Sequence, residues 1–259
     1  MVRFPNIDPV IVKIGPLSLR WYGMMYLAGF AASYLLVGHQ LKKKKITLAA
    51  KEVDSLYSFL VLGLILGARL GYVLFYDLGE YLRNPLEIFA VWHGGMSFHG
   101  GLIGSVVAGV LFCRKYWVNF WQLADIVIVT APIGLGLGRI GNFMNGELYG
   151  RVTDVPWGMV FPAGGPLPRH PSQLYESLLE GVVLFGVLWF IKDRNFKPGV
   201  LLSIFLILYG VFRFLVEFVR EPDAQLGLIL GPFSMGQVLS AGVVLAGAAL
   251  MVYRNKQSA

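Results

Sequence analysis

The sequence predicts an all-α integral membrane protein with seven transmembrane helices, and three observations support this class. Hydrophobic residues make up 56% of the 259 residues and charged residues only 14%, with a mean hydropathy of +0.64. Soluble domains carry about 25% charged residues, so this composition is typical of a membrane protein. Apolar runs of about 20 residues, the length that a helix needs to cross a bilayer, recur along the chain. Basic residues gather in alternate loops between these runs.

Seven apolar runs are candidates for membrane-spanning helices. They cover roughly residues 21–41, 55–76, 97–113, 121–140, 173–191, 199–219 and 233–253. Because nearly the whole chain lies in or between these runs, the sequence predicts a single polytopic membrane domain over residues 1–259. Residues 1–20 contain three prolines and no apolar core of adequate length, so a cleavable signal peptide is not expected.

The charge of the loops predicts the orientation of the spans. Four basic clusters follow the first, third, fifth and seventh spans: Lys42, Lys43, Lys44, Lys45 and Lys51; Arg114 and Lys115; Lys192, Arg194 and Lys197; Arg254 and Lys256. With seven spans all four clusters lie on one side, and the positive-inside rule makes that side cytoplasmic. The N-terminus is therefore expected outside and the C-terminus in the cytoplasm. This distribution also accounts for the net charge of +7, so we expect no nucleic-acid partner.

The loops on the opposite side have a different composition. Residues 77–96 mix apolar, aromatic and charged side chains, which suits a short helix at the membrane interface. Residues 141–172 contain five prolines and predict an irregular or strand-like external segment. Polar residues other than lysine collect on this outer side, so we expect the chemistry there.

The glycine-rich stretch from residue 133 to residue 150 interrupts the apolar pattern. It places Arg139, Asn142, Asn145 and Glu147 among closely spaced glycines directly after an apolar run. One interpretation is that small residues let transmembrane helices pack closely. The other is that the helix loses its regular backbone here, and that exposed N–H groups beside Arg139 bind an anion. The polar residues favour the second interpretation.

Ionisable residues inside the predicted spans are candidates for function because burying them in lipid is costly. These residues are Arg69, Asp125, Arg139, Glu176, Glu180, Arg213 and Glu217. Tyr209, Arg213, Glu217 and Arg220 are spaced four, four and three apart, so they share one helix face. Both arginines can pair with Glu217. The face is either a structural ion-pair ladder or a cationic surface for a phosphate, and the second is favoured.

Histidine and tyrosine supply further candidates. His99 follows the glycines of HGGMSFHGG and is a possible general base, although a histidine at a span terminus is more often an ordinary hydrogen-bonded residue. Spacing alone does not separate His99 from His93. Tyr22 and Tyr26 share a face at the outer end of the first span, a position that also suits an aromatic belt. Cys113 lies in an apolar run and suits packing. No pattern typical of a metal or nucleotide site is present, so neither metal nor cofactor is expected.

Five motifs resemble the signature of the bacterial phosphatidylglycerol–prolipoprotein diacylglyceryl transferase family. They are RWYGMMY (20–26), GGMSFHGG (94–101), GRIGNFMNGELYGRVTDVPWGMVFP (138–162), RHPSQLYE (169–176) and YGVFRFLVEFVREPDAQ (209–225). They occur in the family's order and span nearly the whole chain. His93 falls at a position that the family's motif leaves open, which favours His99 as the functional histidine.

The resemblance implies a reaction. The enzyme would transfer the sn-1,2-diacylglyceryl group of phosphatidylglycerol to the thiol of the lipobox cysteine in the signal peptide of a preprolipoprotein. A thioether forms and sn-glycerol 1-phosphate leaves, which is the first step of bacterial lipoprotein maturation. The family also implies a multi-pass protein of the bacterial inner membrane, with a periplasmic N-terminus, a periplasmic segment at residues 141–172 and a site that faces the periplasm.

The resemblance also implies site residues. Arg139 and Arg213 would neutralise the departing phosphate, and His99 would act as general base or orient the lipid. The implied lipid site consists of Tyr22, Arg139, Asn142, Glu147, Gly150 and Arg213, with Asn142 on the headgroup and Glu147 holding an arginine. Tyr209, Glu217 and Arg220 would support Arg213. The alternative from another class is a transporter or scramblase of anionic lipid, but the internal repeat typical of transporters is not apparent.

Overall fold

The structure is a computed structural model that describes residues 2–5, 7–15, 17–46, 48–221, 228–230 and 233–257. The last four residues of the fifth motif, 222–225, therefore lie outside the described residues. The described chain is mostly helical. The helices are α1 (Trp21–Lys43), α2 (Ala50–Phe75), α3 (Leu78–Arg83), α4 (Phe98–Tyr116), α5 (Phe120–Ile128), α6 (Ala131–Met144), α7 (Ser172–Glu176), α8 (Leu184–Ile191), α9 (Val200–Val216) and α10 (Met235–Lys256). A π-helical segment, Ser177–Val183, joins α7 to α8.

The helices identify the chain as a helical membrane protein. Among the described residues, four continuous helical stretches are long and apolar enough to cross a bilayer: Ala50–Phe75, Phe120–Met144, Ser172–Ile191 and Met235–Lys256. A shorter apolar helix, Val200–Val216, coincides with the sixth predicted span. On α2, leucines 62, 66, 70 and 74 recur every fourth residue, and each is more than half exposed. A stripe of exposed leucines of this kind is a surface that lipid covers.

Short strands accompany the helices, which the sequence did not predict outside residues 141–172. Strand β1 (Val2–Arg3) pairs in parallel with β4 (Met159–Val160). Strands β2 (Val10–Ile14) and β3 (Leu17–Arg20) form an antiparallel hairpin directly before α1. A second antiparallel pair, β5 (Leu228–Leu230) and β6 (Phe233–Ser234), precedes α10. All three ladders are too short to form a core of their own.

The chain forms two compact units. The first unit comprises Met1–Val37 and Asp125–Ala259, and the second comprises Gly38–Ala124. In the second unit, α2 and α4 pack through glycines. A Cβ on Gly67 would lie 2.4 Å from the Gly100 carbonyl oxygen, and one on Gly104 would lie 2.1 Å from that of Gly63. Only residues without side chains allow two backbones to approach this closely, as is common between transmembrane helices.

Replacing Gly104 with alanine should therefore destabilise the second unit. The added Cβ would meet the backbone of α2, and we expect a loss of about 1–3 kcal/mol of stability, the usual cost of overpacking. Thermal unfolding in detergent, followed by circular dichroism, measures the effect. Gly38→Ala is the matched control, because a Cβ on this helical glycine has open space around it. Equal unfolding temperatures for the two variants would contradict close packing at Gly104.

The segment of residues 77–96 is a series of short helices, as the sequence predicted. Helix α3 is followed by the 3₁₀ turns Pro85–Phe89 and Val91–His93. Arg69, only 4% exposed, organises the segment from α2. Its guanidinium donates to the carbonyl oxygens of residues 87, 88, 90, 94 and 95, and it lies over the Tyr81 ring. Arg69 therefore has a structural role within the second unit, because five backbone acceptors saturate its donors.

In the first unit, the glycine-rich stretch is helical as far as Met144, so the prediction that it loses regular backbone structure was wrong for the glycines up to Gly141. From residue 145 to residue 150 the stretch is not helical, as predicted, and Gly146 has a positive φ of 66°. Helix α6 continues through all its glycines to Met144. These glycines allow close packing instead: a Cβ on Gly136 would lie 3.0 Å from the Gly181 Cα, and one on Gly141 would lie 2.9 Å from the Tyr22 ring. Close helix packing, the first of the two interpretations, is the correct one. The backbone N–H groups remain in helical hydrogen bonds and are not available to an anion.

Asp125 is one of the ionisable residues inside the predicted spans, and in the first unit it connects α5 to α9. Its carboxylate, 6% exposed, accepts hydrogen bonds from the Gly199 and Leu202 amides at 2.7 and 2.8 Å. These amides lie at the N-terminus of α9, where backbone donors lack helical partners and a negative charge is favourable. Asp125 is therefore a cap that fixes the start of α9, the helix that carries Arg213.

The external segment folds around Phe161, which is fully buried. Its ring centroid lies 5.1 Å from that of Phe4, 6.2 Å from that of Phe143 and 5.2 Å from that of Tyr149. The N-terminal strand β1 thus packs onto residues that follow α6. Outside its strand and isolated bridges the segment is irregular, as the prolines predicted.

Candidate active site

Glu176 is the centre of an ion-pair cluster in the first unit. Its side chain is fully buried, at the last residue of α7. One carboxylate oxygen, Oε2, lies 2.7 Å from the Arg139 Nε on α6 and 3.2 Å from the Arg213 Nη1 on α9. The other oxygen, Oε1, lies 4.0 Å from the Arg220 Nε. A single carboxylate therefore holds arginines from two different helices side by side.

Glu217 is the second carboxylate of the cluster. Its Oε2 lies 3.0 Å from the Arg213 Nη2 and 3.7 Å from the Arg220 Nη1. The Ser234 hydroxyl donates to its Oε1 at 3.0 Å. The predicted pairing of Glu217 with both arginines is confirmed. Gly236 leaves room for the Glu217 carboxylate, because a Cβ at this position would lie 2.5 Å from the Glu217 Oε1.

The donors of Arg139 and Arg213 are used differently. Arg213 is 13% exposed, and both of its Nη groups pair with carboxylates. Arg139 is 22% exposed and binds Glu176 through Nε. Its two Nη groups make no hydrogen bond to any residue that the structure describes. A guanidinium anchored at Nε with free terminal donors is suited to bind two oxygens of a phosphate group.

Asn142 and Glu147 lie close to Arg139 in sequence, but their contacts differ from the expected ones. The Glu147 Oε1 accepts hydrogen bonds from the Asn142 and Asn145 amide groups at 2.9 and 3.0 Å. The arginines pair instead with Glu176 and Glu217. Glu147 thus orients Asn142 in the last turn of α6 and Asn145 directly after it, whereas the expectation was that Glu147 holds an arginine. An amide fixed in this way presents its carbonyl oxygen in one direction only, which suits hydroxyl donors.

Gly150 joins the external segment to the end of α9. Its amide donates to the His170 carbonyl oxygen at 2.8 Å, and it forms an isolated antiparallel bridge with Arg220. A Cβ at this position would lie 2.3 Å from the Val219 carbonyl oxygen. Arg169 secures the same place by donating to the Gly150 carbonyl oxygen and pairing with Glu221 at 2.7 Å. Gly150 therefore positions the backbone around Arg220.

His170 belongs to this external region, where burial disfavours its protonated form. Burial lowers its pKa, although the Asp154 carboxylate acts in the opposite direction. Its Nδ1 lies 3.2 Å from the Tyr175 hydroxyl, which accepts a hydrogen bond from the Trp157 Nε1 at 2.6 Å. The positive charge at this end of the first unit therefore comes from its arginines.

Tyr22 on α1 and Tyr209 on α9 are close to residues of the cluster. The Tyr22 and Tyr26 hydroxyl groups lie 3.1 Å apart on α1, and Gly141 of α6 packs against the Tyr22 ring. Tyr209 stacks on Phe205 within α9, with ring centroids 5.7 Å apart. Tyr22 thus lies against the helix of Arg139, and Tyr209 one turn before Arg213.

His99 belongs to the second unit and is described within that unit. It is exposed in the first turn of α4, directly after the Ser97 cap, and its ring contacts Phe98. His93, in contrast, pairs with Glu87 at 2.9 Å. Among the described residues His99 has no side-chain hydrogen bond, so its ring nitrogens are available to a substrate.

The ion-pair cluster around Glu176 and Glu217 is suited to bind one anionic group through its arginines. The sequence pattern indicated the three arginines and Glu217 as functional residues, whereas Glu176 was only one of several charged residues inside the predicted spans. The signal was present in the RHPSQLYE motif, which ends at Glu176. Within the described part of the chain, no group of three histidine, cysteine, aspartate or glutamate side chains is placed to hold a metal ion.

Comparison with known proteins agrees with this description. A model of the prolipoprotein diacylglyceryl transferase family matches residues 9–253. The chain is 54% identical to a protein of Desulfotalea psychrophila, over 98% of this chain and 95% of the relative. It is 56% identical to a protein of Geobacter sulfurreducens (98% and 99%) and 52% identical to one of Pseudomonas aeruginosa (100% and 98%). All three relatives are named phosphatidylglycerol–prolipoprotein diacylglyceryl transferase. The chain belongs to the prolipoprotein diacylglyceryl transferase family.

Proposed function

We propose that this protein transfers the sn-1,2-diacylglyceryl group of phosphatidylglycerol to the lipobox cysteine thiol of preprolipoproteins. Its family membership supports this activity, because the relatives that carry the corresponding name match it over almost their whole length. The products are a thioether on the cysteine and sn-glycerol 1-phosphate. This reaction is the first step in the maturation of bacterial lipoproteins.

The observation that carries the proposal is the pair of arginines on Glu176. When sulfur attacks the C3 carbon of the glycerol backbone, an S–C bond forms and the C–O bond to phosphate breaks. The phosphate oxygen leaves with the electron pair, so negative charge grows on it in the transition state. Cations that are already held in place stabilise such charge strongly where water is scarce. Arg139 and Arg213 are held in this way, and the terminal donors of Arg139 are not used by any residue in the described part of the chain.

The thiol must also lose its proton, because a free cysteine with a pKa of about 8.5 is mostly protonated at neutral pH. We assign His99 as the general base, since its ring is exposed and no described residue forms a hydrogen bond with its nitrogens. Tyr22 and Asn142 contact the glycerol headgroup in this proposal, and Glu147 orients Asn142. Gly150 keeps the backbone around Arg220 in place, and Tyr209, Glu217 and Arg220 support Arg213. The transferred group is the diacylglyceryl group of the lipid, and the proposed reaction requires no cofactor.

We place the protein in the bacterial inner membrane as one polytopic domain with seven spans. Every predicted span coincides with a helix or a helix pair. Basic residues lie in the last turns of α1, α4 and α10, which supports one common cytoplasmic side. The N-terminus, residues 141–172 and the active site then face the periplasm, and the C-terminus faces the cytoplasm.

The test uses purified protein, phosphatidylglycerol and a synthetic lipobox peptide. We expect glycerol phosphate release that requires the peptide, together with a peptide mass increased by one diacylglyceryl group. A peptide with serine in place of cysteine and a reaction with phosphatidylcholine are the controls, and neither should yield product. Lipid movement across liposomes without either product would contradict the proposal and favour a lipid transporter.

A further inference from the structure

Glu180 is a buried carboxylate that the ion pairs of the cluster do not use. Its side chain is fully buried within the π-helical segment, four residues after Glu176. Neither of its carboxylate oxygens accepts a hydrogen bond from a described residue, and no described cation lies within ion-pair distance. The next residue, Gly181, packs directly on α6, where a Cβ would lie 2.7 Å from the Gly136 Cα. A π-helical turn is rare and frequently marks a functional site.

Charged and titratable groups on α6, α7 and α9 and after α9 interact electrostatically with Glu180. They are Arg139 on α6, Glu176 on α7, Tyr209 and Arg213 on α9, and Arg220 after α9. Glu180 therefore interacts electrostatically with the whole cluster, although it makes no direct contact with the arginines. Its protonation state changes the charge that the cluster presents to a ligand.

The charges of the cluster can be compared with that of its substrate. Three arginines face the two paired carboxylates of Glu176 and Glu217, which leaves one positive charge when Glu180 is neutral. An ionised Glu180 would cancel this charge. The phosphodiester of phosphatidylglycerol carries one negative charge, so only the cluster with neutral Glu180 balances it.

We propose that Glu180 is a positioning residue that keeps its proton while the site binds an anionic phospholipid, so that one positive charge remains for one phosphodiester. The physical reason is that a buried carboxylate without hydrogen-bond partners is very costly when ionised. An ionised Glu180 would also compete with the phosphate for Arg213. This inference deepens the proposed function and rests on it for the identity of the lipid.

The experiment measures lipid binding directly and does not use the peptide, so that the substrate thiol has no influence. The purified protein is placed in phosphatidylcholine nanodiscs and titrated with phosphatidylglycerol that carries a fluorescent acyl chain. Between about pH 6 and about pH 9.5 we expect the affinity of the wild type to fall by about tenfold or more, because ionisation of Glu180 adds one negative charge close to the phosphate. In Glu180→Gln the affinity should be nearly independent of pH.

Two further variants control for the other groups. Tyr209 is the other titratable side chain without a formal charge near Glu180, and Tyr209→Phe should keep the pH dependence of the wild type. Glu176→Gln keeps the arginines charged but removes the carboxylate that aligns Arg139 and Arg213, so it should weaken binding already at neutral pH, although less than it lowers kcat. The inference is overturned if Glu180→Gln shows the same loss at alkaline pH as the wild type. It is also overturned if Glu180→Gln weakens binding at neutral pH as strongly as Glu176→Gln, since an ionised Glu180 would then be required.

The outcome separates this inference from the proposed function. If the wild type binds the lipid with the expected pH dependence but transfers no diacylglyceryl group to the peptide, the proposed function fails and the inference stands. If transfer occurs and the pH dependence persists without Glu180, the proposed function stands and the inference fails.

Discussion

Arg139→Ala is expected to lower turnover by about a hundredfold to a thousandfold, the effect of removing one preorganised donor from a developing negative charge. The substitution removes the two Nη groups that no described residue uses. The fold should persist, because Glu176 keeps Arg213 at 3.2 Å and is not left as an unpaired buried charge. Glycerol phosphate release and peptide mass measure turnover, and thermal unfolding in detergent measures stability.

Two variants show whether the effect is specific to Arg139. Arg139→Lys keeps the charge but loses the planar pair of terminal donors, so its activity should lie between that of the wild type and that of the alanine variant. Arg194→Ala removes an exposed arginine far along the chain and should leave turnover unchanged. Near-normal turnover of a folded Arg139→Ala protein would refute the role assigned to Arg139.

Glu176→Gln is expected to reduce turnover by a similar factor for a different reason. Glutamine has nearly the same shape but no charge, so Arg139 and Arg213 lose their common counter-ion and repel each other. Removing one partner of a buried ion pair costs about 3–5 kcal/mol, and the contact of Arg213 with Glu217 should reduce that cost here. We expect kcat to fall more than the affinity for phosphatidylglycerol, because the positive charge remains while its alignment is lost.

A double-mutant cycle separates positioning from a purely structural effect. If Glu176 acts through Arg139, the substitution Glu176→Gln should cost much less activity in an Arg139→Ala background than in the wild type. Glu80→Gln, which neutralises an exposed carboxylate on α3, is the matched control. Additive losses in the cycle, or activity of Glu176→Gln within about threefold of the wild type, would contradict the positioning role.

Local spacing was sufficient to predict several features of the structure. The apolar runs coincide with helices because a helix needs a fixed number of apolar residues to cross a bilayer. The spacing of Arg213 and Glu217 predicted their ion pair, because residues four apart share a helix face. The pair of Glu217 with Arg220 was also predicted, but the shared helix face was wrong for Arg220, because α9 ends at Val216 and Arg220 forms a bridge with Gly150. Both predictions depend on neighbours in sequence, and the chain determines such contacts by itself.

Only the tertiary structure decided which carboxylate serves Arg139. Glu176 lies 37 residues from both Arg139 and Arg213, and nothing in the spacing indicates that three helices place them together. The same holds for the glycines of α6, because their spacing is compatible both with an anion site and with helix packing. The contact of Gly136 with Gly181 shows that they serve packing. Gly150 likewise depends on a bridge to Arg220 across a long loop.

The sequence by itself determined a helical membrane protein, the family to which it belongs and the residues that bring charge into its interior. The structure decided the partners of those charges: Glu176 for two arginines, two asparagines for Glu147, and none among the described residues for Glu180. The physical reason is that helix formation depends on local periodicity and length, whereas ion pairing between helices depends on how closely their backbones pack.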